Sequence, residues 1–143
     1  MPNRVQWNPA FETGNETLDR QHRNILAQCL AMADHVVDTG QESDLKFQEL
    51  FAALTALARE HFASEAELLA RGGCPTLDEH RNESEEFDYL AADVATTENF
   101  DKLELQRFLA LWWVGHIVGS GKKYRACIAA SPAGASPGNA QSD

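Results

Sequence analysis

Four histidines and one glutamate carry the chemistry open to this sequence: His22, His61, His80 and His116, with Glu65 four residues after His61. A neutral imidazole offers a lone pair at one ring nitrogen, and a carboxylate offers a hard anionic oxygen. Together these donors hold a transition-metal ion. Imidazoles and a carboxylate without an inward thiolate suit iron, and less selectively zinc, manganese, nickel or copper. One histidine on a helix face is more often a hydrogen-bonded core residue than a ligand. Four at a common depth, beside a carboxylate that is costly to bury without a cation or donors, argue for a metal.

The elements that must position these residues are helices. Gly and Pro punctuation separates four long stretches with helical rather than strand periodicity. The first sets Leu18, His22, Ile25, Cys29, Met32 and Val36 at alternating steps of four and three, which is one helix face. The second begins near the capping candidates Ser43 and Asp44, stops at Gly72-Gly73, and lines up Leu50, Leu54, Ala58, His61, Glu65 and Leu68. The third opens at "TLDE", where Thr76 and Glu79 fit a capping box, and its seam is Leu77, His80, Ser84, Phe87, Ala91 and Val94. Ser84 is therefore expected to point inward. The fourth follows "ENFD" and aligns Leu105, Leu109, Trp112 and His116 before Gly119 and Gly121 weaken the pattern, though "KKYRACIAA" can continue it.

Short connections force neighbouring helices to run in opposite directions, so the expected fold is all-α: an antiparallel, up-down-up-down four-helix bundle over residues 1–130, with an irregular N-terminal arm over 1–15. In that topology His22 and His80 near helix starts, and His61 and His116 near helix ends, fall at one end of the bundle. At ~1.5 Å of rise per residue their depths agree to within about two turns. The Ser-, Pro-, Gly- and Ala-rich residues 131–143 are expected to be a disordered tail.

Charge and composition narrow the partners. A net charge of −10 repels phosphate backbones and anionic membranes, so nucleic acid and membrane surfaces are not expected partners. No apolar run is long enough to span a bilayer, and the N-terminus lacks the pattern of a secretory signal, which points to the cytoplasm. Three cysteines, Cys29, Cys74 and Cys127, are read as free thiols of a reducing compartment, with Cys29 a small buried hydrophobe and Cys74 a loop thiol. His35 lies beside the seam and far from the histidine layer, as a surface or flank residue. Trp112 and Trp113 read as packing. The acidic run Glu83, Glu85, Glu86 reads as a solvated face, with Glu83, one turn from His80, able to approach the edge of the site.

Taken in order, "WNPAFETGNETLDRQH", "HFASE", "HRNES" and "WWVGHIVGSGKKY" resemble the successive motifs of the bacterial hemerythrins, across residues 5–125. The resemblance implies a four-helix bundle that binds dioxygen at a non-haem di-iron centre. Position by position, it implies that His22 and His61 hold the iron with the open site, that Glu65 bridges both ions, and that His80 and His116 serve the other iron. The family pattern has a further histidine four residues after the third-helix one and a bridging aspartate five residues after the last histidine. This sequence has Ser84 and Gly121 there.

Losing one imidazole and one anionic bridge weakens the second metal position. Three outcomes follow: a di-iron centre completed by water, hydroxide or an exogenous anion; a single metal on His22, His61 and Glu65, joined by His80 or His116; or a bundle that holds no metal. The function expected from the resemblance is iron-dependent binding of dioxygen, or of another small diatomic molecule or anion, for storage, delivery or sensing rather than catalysis. The alternatives are an enzyme acting on oxygen, peroxide or nitric oxide, and a metal-free scaffold.

Overall fold

Asn15 and Asp101 open two of the helices by the same device. Each side chain accepts a hydrogen bond from the N–H three residues on, Leu18 at 3.0 Å and Glu104 at 3.1 Å. Each bond satisfies one donor that a helix start leaves free. The computed structural model of the chain describes residues 2–36, 40–96, 101–121, 123, 124, 126 and 127. Among them are a 3₁₀ turn (Pro9–Phe11), α1 (Glu16–Ala33), α2 (Gln41–Arg71), α3 (Leu77–Thr96), α4 (Lys102–Gly115) and a π-helical segment (His116–Gly121) that continues α4. The chain is all-α, a four-helix bundle in which α1 packs on α2 and α4, and α2 packs on α3. The expected tail, residues 131–143, lies outside the described residues.

Most of the seam positions are buried as the periodicity predicts, while Leu50, Leu68, Leu77, Ser84, Val94 and Trp112 are only half-buried. Leu18, His22, Ile25, Cys29, Met32 and Val36 are all buried, as are Leu54, Ala58, His61, Glu65, Phe87, Ala91, Leu105, Leu109 and His116. Phe47, Phe51, Phe62 and Trp113 join the main core. The N-terminal arm closes one side of it. Trp7 and Phe11 meet edge to face at 5.5 Å, the Arg23 guanidinium lies 4.9 Å over the Trp7 ring, and Gln106 ties Asn3 to the Cys29 carbonyl.

Two local expectations need correction. α2 starts earlier than Ser43 and Asp44, directly after Gly40, whose φ of 124° suits glycine. Ser43 instead donates to the His35 carbonyl, and Asp44 pairs with Lys102 at 2.9 Å. The capping box at α3 does not form: the Thr76 hydroxyl has no hydrogen-bond partner, and Glu79 pairs with Lys123. Where Gly119 and Gly121 weaken the periodicity, α4 widens into a π-helical segment, an irregularity common at functional sites.

The largest correction concerns the cysteines. Cys29 is buried and free, and its burial pushes the thiol up to about 12. Cys74 and Cys127 are joined in a disulfide with Cα atoms 6.0 Å apart. Sequence spacing gave no hint of this pair because the two residues are 53 positions apart and meet only when the α2–α3 turn and the chain beyond the π segment fold together. The thiol argument for a reducing compartment falls with it. Among the described residues, no helix is long and apolar enough to cross a membrane.

The disulfide sits in a second small core with Leu18, Leu69 and Tyr124, at the histidine end of the bundle. Closing so long a loop restricts the unfolded chain, so reduction or Cys127→Ala is expected to cost about 2–4 kcal/mol. Denaturant unfolding with and without reductant measures it. An unchanged midpoint would show that the pair does not staple the native chain.

Candidate metal centre

Helix geometry alone brings the donors together. His61 and Glu65, one turn apart on α2, face inward beside His22 from α1 and His116 from the α4–π junction, and all four are buried. One ligand atom from each lies within 4.8 Å of all the others. The His22 and His61 Nε2 atoms are 3.0 Å apart, and those of His61 and His116 are 3.1 Å apart. Glu65 Oε2 stands 3.1 Å from His61 Nε2, 3.3 Å from His116 Nε2 and 3.8 Å from His22 Nε2. Phe62 and Trp113, stacked at 5.4 Å, form an aromatic floor beneath them.

The fifth residue, His80, stands on the far side of the same carboxylate. Its Nε2 donates to Glu65 Oε1 at 3.0 Å. Four of the five residues therefore surround one point, and His80 addresses the carboxylate rather than that point. Ser84 does not reach either. It is half-buried and lines an open cleft between α2 and α3 that also has His80, Phe62 and Leu77 in its walls. Gly121 ends the π segment. His35 lies half-buried in the turn after α1, away from the layer.

Gln21, which the sequence did not single out, and Glu83, which it allowed to approach the edge of the site, govern the donors. Gln21 is buried; its amide nitrogen donates to Ser64 at 2.9 Å, which aims Oε1 at His61 Nδ1, 3.0 Å away. An oxygen there requires Nδ1 to carry the proton, and so leaves His61 Nε2 a bare lone pair. The signal was available in "DRQH": a glutamine adjacent to a seam histidine. Glu83, from the acidic run, places Oε2 3.0 Å from His116 Nδ1.

The charges follow from burial and neighbours. Burial, then His61 and His116, push His22 down to about 3, and burial also lowers His61, so both rings are neutral at pH 7. Burial pushes Glu65 up, but His116 and His61 outweigh it and hold the carboxyl well below its usual range. Burial pushes His116 down, but Glu65 and then Glu83 outweigh it and raise the ring to about 9. Without a metal, the single proton on His116 supplies the positive charge that Glu65 faces.

That arrangement fits a cation better than it fits itself. With its proton at Nδ1, His61 turns the Nε2 lone pair to the point that Glu65 Oε2, His22 Nε2 and His116 Nε2 also face, 3.1, 3.0 and 3.1 Å away. The buried Nδ1 of His22 has no hydrogen-bond partner. Three imidazoles and a carboxylate aimed at one point, two of the rings neutral and one able to give up its proton, form a donor set for a borderline divalent ion such as ferrous iron.

A family model described as the hemerythrin HHE cation binding domain matches residues 13–124. A hemerythrin-like protein of Naegleria gruberi and one of Naegleria fowleri are each 27% identical over 128 residues, covering 90% of this chain and 97% of the relative. A myohemerythrin of Theromyzon tessulatum is 23% identical over 125 residues, covering 87% and 94%.

Proposed function

This chain belongs to the hemerythrin family, and from that membership and the geometry of its buried cluster we propose a non-haem iron protein that binds dioxygen or a related small diatomic molecule, with one principal metal position in place of two. His22, His61, Glu65 and His116 are the ligands, and His80 holds the second oxygen of Glu65. The observation that carries this reading is the convergence of four buried donor atoms on one point while His80 stands outside it.

A bound ferrous ion would supply the electron density on which a diatomic ligand draws. The chain supplies the rest. Gln21 keeps the His61 lone pair inward, His80 keeps the Glu65 carboxylate from turning away, and the Phe62–Trp113 floor excludes water from the layer. Loading releases the His116 proton, so affinity rises with pH over the range in which that ring would otherwise be charged.

Anaerobic reconstitution with ferrous iron followed by elemental analysis and optical spectroscopy tests the reading. The expected result is one iron per chain that survives gel filtration, with an absorption band that appears under oxygen and reverses under vacuum. Rapid peroxide consumption with irreversible bleaching would favour an oxygen-reactive enzyme. Iron-free protein would leave a scaffold.

A further inference from the structure

We propose that Glu83 is a positioning residue of this centre, the carboxylate that holds His116 with its Nε2 turned to the metal position, and that Tyr124 holds Glu83 in place. The proposal rests on the metal-centre reading above.

Three observations lead there. Glu83 lies in a run of acidic residues on α3, but unlike exposed Glu85 and Glu86 it is partly buried, its side chain 18% accessible. Its two oxygens are divided between two buried residues: Oε2 lies 3.0 Å from His116 Nδ1, and Oε1 accepts from the Tyr124 hydroxyl at 3.1 Å. Tyr124 is itself fixed, 2% exposed in the small core next to the Cys74–Cys127 disulfide, with its ring 5.4 Å from that of His80 and 6.3 Å from that of His116.

His116 therefore stands between two carboxylates, Glu65 at Nε2 and Glu83 at Nδ1. The Glu83 oxygen is at ion-pair and hydrogen-bond distance but off the line of the ring N–H in this ring position, and a small turn of the ring about its own axis completes the bond. A negative charge on that side keeps the ring proton at Nδ1 and makes Nε2 the free donor and a more basic one, as carboxylates behind ligand histidines do. His61 obtains the same result from neutral Gln21. Among the described residues His116 is the ligand ring with a carboxylate at its Nδ1, and it sits where α4 widens into the π turn.

The test is titration of the chelated full chain with cobalt(II), for the parent, Glu83→Ala, Glu83→Gln and, as a control on charge, Glu85→Ala. Glu83→Ala is expected to weaken cobalt binding by about 10–100-fold, the usual cost of losing the partner behind a ligand. Glu83→Gln keeps an oxygen and the shape, guards against a folding failure in the alanine variant, and should recover part of the loss. Glu85→Ala should leave affinity unchanged. In the cobalt-loaded protein, proton NMR should show one ligand-ring N–H that exchanges slowly with solvent in the parent and is lost in Glu83→Ala, with the other ring N–H signals unmoved. A purely structural role would not single out one ring.

Binding within about twofold of the parent in both Glu83 variants, with all ring N–H signals retained, would overturn the proposal and leave the centre standing. A parent chain that takes up no cobalt would sink the centre and the role of Glu83 together.

Discussion

Replacing Glu65 by glutamine is expected to weaken ferrous-iron binding by more than about 100-fold, since losing even a partner behind a ligand typically costs ~10–100-fold and Glu65 is itself a ligand. It is the only anion among the four converging donors, and its burial is complete. The glutamine amide keeps the size and one acceptor oxygen, so the loss measures the charge rather than a cavity. Affinity by competition with a coloured chelator reads it; a change under about threefold would mean that the metal lies elsewhere.

The same variant should reshape stability against pH in the chelated protein. His116 is raised from 6.5 to about 9, so its pairing with Glu65 contributes fully below pH 6.5 and is lost as pH rises through about 9. His22 is lowered from 6.5 to about 3, so the unfolded chain binds the extra proton and stability falls as pH drops from 6.5 toward 3. In Glu65→Gln the largest influence raising His116 is gone, so the alkaline loss should flatten while the His22 limb on the acid side remains. Guanidinium unfolding midpoints across pH 4–10 separate the two limbs.

Much of this was legible in the sequence because both determinants are periodic. Steps of three and four place His22 with Leu18 and Ile25, and His61 with Ala58 and Glu65, so one pattern specifies the core face and the donors on it. Antiparallel connections then bring the helix ends that carry histidines to one level. What periodicity cannot carry is interaction perpendicular to the seam. Gln21 adjoins one ligand and reaches another on a different helix, Glu83 can be placed near the site edge but not paired with His116 of α4, and Cys74 meets Cys127 across 53 residues. Each depends on side-chain direction or on a long loop closure that no local spacing encodes. Ser84 shows the converse error. Its position on the seam is right, but a small polar side chain at the edge of α3 does not fill the gap to α2, and the space stays open to solvent as a cleft.

That cleft makes the last expected result specific: Ser84→His with Gly121→Asp should raise the tightly held iron from one per chain to two. His80 already directs Nε2 at Glu65 Oε1, the oxygen that faces away from the convergent donors. A second ion there would have one imidazole and one carboxylate oxygen from the present chain, too few neutral and anionic donors to hold a divalent ion against water. A histidine at 84, one turn beyond His80 on α3, adds an imidazole from the wall of a cleft with a volume of about 410 Å³, so the added ring need not displace packed core. An aspartate at 121 adds the charge that a second cation requires. Charge and donor number act together, so Ser84→His alone should give weak, chelator-labile occupancy and the pair should give retention through gel filtration. If both retain one iron, Ser84 and Gly121 are not what limits the second position; if both retain two, the one-metal reading of the centre fails as well.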